Sequence, residues 1–198
     1  MPKTQRHEAK ADHLIEKGMM LLWSKGYNAT SVKDIVDAAE VPKGSFYFYF
    51  DSKEDFAVKA IDKYFNQTFP PALEILENTS IGPKQRIINF YEFRAQILKD
   101  EFNCKMGCMG CNLANEMGEH SEPIRKAIEQ KTDKVKAHIV EVIEEAQDYG
   151  ELDNSVLALD LVNFMEDAGR GAMVSMKELD SCYPIDNFVL MIKYLMKK

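Results

Sequence analysis

A helical spacing of apolar residues extends over almost the whole chain, and it is the feature that most constrains the fold. Only 10 Gly and 7 Pro occur among the 198 residues, so few positions interrupt the pattern. Between the interruptions, apolar residues recur three or four positions apart, which is typical of amphipathic helices. A strand would need a partner with period-two alternation, and the sequence contains no such pair. The sequence therefore predicts an all-α protein of about nine helices.

Capping residues and apolar spacing predict four helices in the N-terminal part, at about residues 4–25, 31–38, 42–48 and 52–68. Thr30 or Ser31 is expected to cap the second helix by accepting a backbone N–H, and Asp51 or Ser52 to cap the fourth. Pro42 fits the first turn of the third helix, because its missing N–H would have no partner there. Two short helices joined by a tight turn are therefore expected near residue 40.

Residues 46–50 are five consecutive aromatics, FYFYF. On a helix, Phe46 and Phe50 lie four positions apart and share a face, so both are expected in the core. Tyr47 and Tyr49 would lie away from that face, where their hydroxyls could donate to phosphate oxygens. A pair of short helices with donors on the second is the geometry that enters a major groove of DNA. The alternative is an aromatic helix buried between its neighbours.

The stretch GYNATSVKDIVDAAEVPKGSFYFYFDSKEDF, residues 26–56, resembles the DNA-binding segment of TetR-family transcriptional regulators. The resemblance implies a three-helix DNA-binding domain over residues 1–50 and a helical effector-binding and dimerisation domain over residues 51–198, linked by the fourth helix. It also implies a homodimeric repressor that binds double-stranded DNA at a palindromic operator. A small-molecule or electrophile inducer would release it from that operator.

Three parts of this segment would contact DNA: the start of the second helix, the third helix and the start of the fourth. The residues that the resemblance assigns to this contact are Thr30, Ser31, Lys43, Gly44, Ser45, Tyr47, Phe48, Tyr49 and Lys53. Lys43, Ser45 and Lys53 carry N–H or O–H donors suited to phosphate oxygens, and Gly44 would let the backbone approach closely.

Three positions in this part depart from the family pattern. Gly18 stands where alanine is usual and Leu22 where phenylalanine is frequent, which together predict somewhat looser packing of the first helix. Glu40 replaces the usual glycine of the turn before the third helix, and it costs about 1 kcal/mol if that turn needs a positive φ. None of these departures removes a predicted DNA contact.

The last two helical stretches, residues 155–177 and 184–196, are apolar on more than one face. A helix that only covers its own core needs one apolar stripe, so these stretches could also pack against a second subunit. The DNA-binding helices of one subunit contact only a few base pairs. A two-fold dimer doubles this contact area and requires a palindromic site. Burial of both helices within one subunit is the alternative, because helical spacing does not distinguish core from interface.

Three of the four cysteines lie close together, at Cys104, Cys108 and Cys111. The chain starts without a secretory leader, so structural disulfides are not expected. A structural zinc site would need a fourth ligand such as His120 or Cys182. On one helix the three cysteines would form a single stripe, and burial of that stripe is the simplest expectation.

Residues 107–116, GCMGCNLANE, resemble the GCLxGNLxxE segment of the NemR-like, electrophile-responsive subfamily of TetR-family repressors. Cys108 matches the cysteine of that subfamily, Cys111 replaces a glycine, and Cys104 is additional. The resemblance makes Cys108 the first candidate sensor, with Cys104 and Cys111 as further candidates. A thiol near a helix start has a lowered pKa, and its thiolate attacks electrophiles. A buried thiol, metal binding and disulfide formation are the alternatives.

Charge and missing motifs restrict the function further. The net charge is −7, but residues 1–53 carry 8 basic and 7 acidic residues, so the acidity belongs to the remainder. Broad, nonspecific nucleic-acid binding is disfavoured by this balance. No apolar run approaches a membrane span, so a cytoplasmic protein is expected. No catalytic constellation, cofactor motif or convincing metal site is present, and an enzyme is not expected. A cysteine-centred metal-binding or thiol-redox protein is the alternative class.

Overall fold

A computed structural model describes residues 3–197, with side chains from residue 8 onward. Within this range every regular element is a helix, and the all-α prediction is confirmed with ten helices instead of about nine. They are α1 (Lys3–Lys25), α2 (Val32–Ala38), α3 (Lys43–Tyr49), α4 (Lys53–Thr68), α5 (Pro70–Glu77), α6 (Pro83–Asp100), α7 (Met109–Met117), α8 (Glu122–Asp148), α9 (Ala158–Glu178) and α10 (Tyr183–Leu195). None of these described helices is both long and apolar enough to cross a membrane.

The chain forms two compact units. The first contains the chain up to Gln67 together with Cys108–Lys131, and the second contains Thr68–Gly107 together with the chain from Thr132 onward. α1 to α4 and α7 thus belong to the first unit, and α5, α6, α9 and α10 to the second. The sequence predicts a division by function, into a DNA-binding domain up to residue 50 and an effector-binding domain after it. That boundary is not a boundary between compact units, and it stays a prediction.

Local caps set the starts of α2 and α4. The Ser31 hydroxyl accepts the N–H of Asp34 at 3.1 Å, and the Asp34 carboxylate accepts the N–H of Ser31 at 2.7 Å, which completes a capping box. At α4 the Ser52 hydroxyl accepts the N–H of Asp55 at 3.0 Å. Ser31 and Ser52 are therefore the caps, whereas Thr30 is buried and its hydroxyl donates to the Gly26 carbonyl at 2.7 Å.

Aromatic rings fill the core of the first unit. Phe46 and Phe50 are both buried, as predicted from their spacing on α3, and their ring centroids lie 5.1 Å apart. The ring of Phe56 on α4 contacts both, with centroid distances of 5.5 Å to Phe46 and 5.0 Å to Phe50. These rings bind α3 to α4 and leave the other side of α3 outside the core.

Gly18 on α1 lets this aromatic core approach the α1 backbone. A Cβ at this position would lie 2.9 Å from Ile35 Cγ2 and 3.0 Å from Phe56 Cε1, both inside normal contact. The prediction of looser helix packing is therefore wrong, because the glycine leaves no gap: the Phe56 ring occupies the space where a methyl group would lie.

Gly18→Ala is expected to lower the free energy of unfolding by about 1 kcal/mol, although alanine is the better helix former. Overpacking of a core costs roughly 1–3 kcal/mol, while the gain in helix propensity is at most about 1 kcal/mol. Urea unfolding followed by circular dichroism measures the difference. Gly44→Ala on α3 is a matched control, since a Cβ there meets nothing within 4 Å and the change should be neutral or stabilising. A stabilised Gly18→Ala protein would contradict the packing argument.

Glu40 adopts a left-handed backbone with φ 55°, in the turn between α2 and α3. Its N–H donates to the Asp37 carbonyl at 3.1 Å, and the turn closes where α2 ends. The expected requirement for a positive φ is thus confirmed, and a residue with a Cβ costs about 1 kcal/mol at this position.

The second unit encloses a buried ion pair among aromatic rings. Arg94 on α6 donates to the Glu166 carboxylate on α9 at 2.7 Å, and the Tyr91 hydroxyl donates to the same oxygen at 3.0 Å. The guanidinium also lies over the rings of Phe69, Phe90 and Tyr91. Burial raises the pKa of Glu166, but Arg94 and the two hydrogen bonds outweigh burial and hold that pKa below its ordinary value. α6 and α9 are therefore joined by a charged contact inside the unit.

Candidate nucleic-acid interface

α2 and α3 form a helix-turn-helix joined by residues 39–42. The N–H of Val41 in the turn donates to the carbonyl of Val36 at 3.0 Å. Ile35 and Val36 of α2 are buried, as is Phe46 of α3, so the opposite sides of both helices face outward. This is the arrangement that lets a second helix enter a major groove.

The outward side of α3 carries most of the predicted contact residues. Tyr47 is 58% exposed and Phe48 is 69% exposed, values that are unusual for large aromatic side chains. Lys43 and Gly44 are exposed, and Ser45 and Tyr49 are half-buried. A Cβ at Gly44 would meet nothing within 4 Å, so the space above the helix start is open. The alternative of an aromatic helix buried between its neighbours does not fit these exposures.

The flanking predicted contacts lie in different surroundings. Thr30 is fully buried and its hydroxyl is engaged within the loop, so in this structure it does not offer a surface contact. Ser31 is exposed, and its hydroxyl also donates to the Asp34 carboxylate at 2.6 Å. This hydrogen bond is the main reason why the pKa of Asp34 is lowered. Ser31 is thus the member of the pair that reaches the surface.

Lys53 at the start of α4 stabilises the loop between α1 and α2 through hydrogen bonds. Its ammonium donates to the carbonyls of Tyr27 at 3.0 Å and Thr30 at 3.1 Å, and it lies 4.0 Å from the centroid of the Tyr27 ring. Partial burial lowers the pKa of Lys53, and the nearby Glu116 carboxylate opposes that shift. Two of its three N–H donors are therefore used inside the unit, and its phosphate contact stays a prediction.

Glu116 on α7 holds the same loop, and the sequence pattern did not reveal this role. Its two carboxylate oxygens accept the backbone N–H groups of Tyr27 and Asn28, each at 2.7 Å. Gly26 has φ 85°, and a Cβ there would lie 2.6 Å from a Glu116 oxygen. Glu116 is the last residue of the GCMGCNLANE segment, which marked its position but gave no partner 89 residues away. The carboxylate fixes the loop that leads into α2.

Cys108 and Cys111 lie at the start of α7, in the first unit. Cys108 is the N-cap residue, Cys111 lies in the first turn, and both are half-buried thiols. Burial raises the pKa of the Tyr64 phenol on α4, and the adjacent Cys108 raises it further. Gly110 between the two cysteines packs against Phe65, where a Cβ would come within 2.9 Å of the ring. The thiol of Cys108 thus contacts α4 at the entrance to α7.

Cys104 does not share a helix stripe with the other two cysteines, because α7 begins only after Cys108. It forms a disulfide with Cys182, and the two Cα atoms lie 5.4 Å apart. The expectation that no disulfide would form is wrong, since the packing of α6 against α10 brings together residues 78 positions apart. Among the described residues, no group of His, Cys, Asp or Glu side chains has an arrangement that could hold a metal ion.

An exposed, donor-bearing helix in a helix-turn-helix, followed by further helices, defines the class of helical DNA-binding regulators. Residues 14–60 match the family model of bacterial regulatory proteins of the tetR family, and residues 83–191 match a tetracyclin repressor-like C-terminal domain. The chain belongs to the TetR family of bacterial transcriptional regulators.

Characterised relatives resemble the chain over most of its length. It is 29% identical to the transcriptional repressor DhaR of Mycobacterium sp. (strain GP1), over 91% of this chain and 88% of that protein. It is 28% identical to the repressor NemR of Escherichia coli K12, over 75% of this chain and 73% of NemR. The crystal structure of reduced E. coli NemR superposes with a TM-score of 0.82 at 25% identity, covering 94% of this chain and 96% of that one. These similarities support the predicted NemR-like subfamily.

Proposed function

We propose that this protein is a homodimeric repressor that binds a palindromic operator and is released by an electrophile or another small molecule. The observation that carries the proposal is the outward side of α3, where Lys43, Tyr47 and Phe48 are exposed on a helix whose opposite side is anchored by Phe46. Apolar rings in such a position are costly in water but suit contact with bases and sugars. A bacterial protein that binds DNA would act in the cytoplasm, which is the location that the sequence predicts.

The dimer is proposed to form through α9 and α10. Both helices, and Leu179 directly after α9, carry large apolar side chains that their own unit leaves exposed; those on the helices are Leu159, Phe164, Val174, Tyr183, Leu190, Met191 and Tyr194. A row of this kind on two adjacent helices exceeds the scattered apolar residues of an ordinary surface. A second copy would bury it, and two-fold symmetry would place two α3 helices on successive half-sites.

The inducer is proposed to act at Cys108. Its thiol lies at the start of α7, where the helix dipole favours a thiolate, and it is half-exposed. Addition of an electrophile would enlarge this side chain against Tyr64 of α4, the helix that follows the recognition helix. A second route for a small molecule is the open groove of about 620 Å³ between α6 and α10, where Phe93 and Val189 lie among charged residues such as Glu92, Lys99 and Lys193.

Lys43→Ala should weaken binding to the DNA upstream of the protein's own gene by about tenfold and reduce the salt slope by about 1, because one phosphate contact is lost. Tyr47→Phe, which removes only a hydroxyl, should have a smaller effect on affinity. Fluorescence anisotropy at several salt concentrations measures both. Lys126→Ala on α8 is the control, since this exposed lysine pairs with Glu122 and lies outside the helix-turn-helix. Unchanged affinity and slope in Lys43→Ala would rule out this recognition surface.

N-ethylmaleimide should release the wild-type protein from DNA and leave the Cys108→Ser variant bound. The reagent alkylates thiolates, and serine offers none at position 108. Cys111→Ser is the matched control, because it removes the neighbouring thiol of the same helix start and should still respond. Anisotropy after alkylation, with mass spectrometry to count the adducts, reports the result. Equal release of the wild type and Cys108→Ser would exclude Cys108 as the sensor.

A further inference from the structure

The Cys104–Cys182 disulfide joins the end of α6 to the beginning of α10 in the second unit, where Lys99 of α6 also donates to the Asp186 carboxylate of α10. Cys104 lies just after α6, and Cys182 is the residue that precedes α10. The pair packs in a small apolar cluster with Ala95 of α6, Met176 of α9 and Ile185 of α10. The bond therefore fixes the beginning of α10 to the end of α6.

The two sulfur-bearing residues differ in their access to solvent. Cys104 is 2% exposed, whereas Cys182 is half-buried at the surface of the cluster. A small thiolate could therefore reach the Cys182 sulfur and would leave the Cys104 sulfur as the leaving group. A disulfide with one cysteine at the surface is more open to exchange than one that is sealed on both sides.

The backbone adopts an unfavourable conformation at Cys104, where the chain leaves the end of α6. Asn103 has φ 46° and Cys104 has φ 57°, so two consecutive residues with a Cβ lie in the left-handed region. L-residues other than Asn and Asp rarely adopt this conformation, and Cys104 has no side-chain amide to compensate for it. The N–H of Asn103 donates to the Lys99 carbonyl at 3.1 Å and that of Cys104 to the Leu98 carbonyl at 2.8 Å, so backbone hydrogen bonds at the end of α6 hold this conformation and the reduced protein should keep it.

We propose that Cys104 and Cys182 form a reversible thiol–disulfide site, distinct from Cys108, that reacts with low-molecular-weight thiols and disulfides and controls the order of α10. In reduction, a thiolate attacks the Cys182 sulfur, the S–S bond breaks, and Cys104 leaves as a thiolate that takes up a proton. A second thiolate then attacks the mixed disulfide and releases Cys182. Two thiols are thus oxidised to one disulfide while the protein gains two electrons and two protons, and oxidation is the reverse.

The consequence for α10 rests on the proposed dimer. Tyr183 directly follows Cys182, and Leu190, Met191 and Tyr194 lie further along the same helix. Without the covalent link this first turn frays more easily, and the pairing of Lys99 with Asp186 is then the charged contact that still ties it to α6. Reduction should therefore weaken the surface that α10 offers to a second subunit.

The first test uses the full-length Cys108→Ser, Cys111→Ser protein, in which only the proposed pair can react. The protein is equilibrated in mixtures of reduced and oxidised glutathione, and its thiols are trapped with N-ethylmaleimide and counted by mass spectrometry. We expect a change from zero to two adducts within the range of these mixtures. A protein that stays fully oxidised in excess reduced glutathione, or fully reduced in excess oxidised glutathione, would overturn the proposal.

The second test measures α10 itself. Hydrogen exchange of amides at the start of α10, such as Ile185, should be at least about tenfold faster in the reduced protein, and a Cys104→Ala, Cys182→Ala variant should match the reduced form in every buffer. The dimer dissociation constant from sedimentation should rise by about the same factor. Equal exchange rates in both redox states would overturn the control of α10. A monomer in both states with redox-dependent exchange would instead contradict the proposed dimer and leave this site in place.

Discussion

Replacement of Glu116 by alanine should lower the free energy of unfolding of the first unit by about 2 kcal/mol. The two backbone N–H groups of Tyr27 and Asn28 would lose a charged acceptor at 2.7 Å. Hydrogen bonds to a charged group contribute roughly 1.5–3 kcal/mol each, and water can replace part of the bond at exposed Asn28. Lys53, which lies near the carboxylate, would also lose a favourable charge. Urea unfolding and hydrogen exchange at Tyr27 and Asn28 measure these effects.

Glu116→Gln and Glu119→Ala separate the contributions. The glutamine keeps one acceptor oxygen but neither the charge nor the second acceptor, so its loss of stability should be about half that of alanine. Glu119 lies just beyond the end of α7 and is exposed, so Glu119→Ala should change stability by less than about 0.5 kcal/mol. Similar stabilities of Glu116→Ala and Glu119→Ala would show that the loop does not depend on the carboxylate.

The position of Glu116 also bears on how the first unit is built. α7 begins at the Cys108 thiol beside Tyr64 of α4, and near its end it holds the loop that leads into α2. Just beyond α7, the Ser121 hydroxyl donates to Glu54 at the start of α4 at 2.6 Å. One short helix thus contacts both flanks of the helix-turn-helix. A shift of α7 would reach α2 through backbone hydrogen bonds and not only through side-chain packing.

Interactions that are local in sequence could be predicted well. The spacing of Phe46 and Phe50 located the buried side of α3, and the outward position of Tyr47 followed from the same periodicity, whereas Tyr49, which was expected to lie outward with it, is half-buried. The choice between Thr30 and Ser31 as the cap was less certain, because both hydroxyls precede α2. In the structure Thr30 is buried and its hydroxyl donates to the Gly26 carbonyl, so Ser31 is left as the cap.

Interactions between distant residues could not be predicted from spacing. Cys104 and Cys182 are 78 residues apart, and Glu116 is 89 residues from Tyr27, so neither pairing leaves a local pattern. Gly18 shows a different limit, because the effect of a missing methyl group depends on whether a neighbour moves into its place. Here the Phe56 ring moves into that place. Glycine instead of alanine at position 18 therefore leaves no gap in this core, although it would leave one where no neighbour could move in.

Glu166→Ala should lower the free energy of unfolding of the second unit by about 3 kcal/mol. The carboxylate is 11% exposed and accepts hydrogen bonds from Arg94 and Tyr91, which its removal would leave without their charged partner. Removal of one member of a buried ion pair costs roughly 3–5 kcal/mol, and the partial exposure of Arg94, at 24%, argues for the lower end. Asp167→Ala is the matched control, since this neighbouring carboxylate is 69% exposed and should matter little.

The pH dependence of stability provides an independent test of the same pair. The pKa of Glu166 in the folded protein lies below its ordinary value of 4.5, so the unfolded chain binds its proton first as the pH falls. The contribution of this residue is therefore fully present above about pH 5 and is lost as the pH falls through the folded-state pKa. Glu166→Gln should be less stable than the wild type at pH 7, and this difference should shrink at pH 4 and below. A difference that stays constant between pH 7 and pH 3 would mean that side-chain packing, and not the ionised carboxylate, joins α6 to α9.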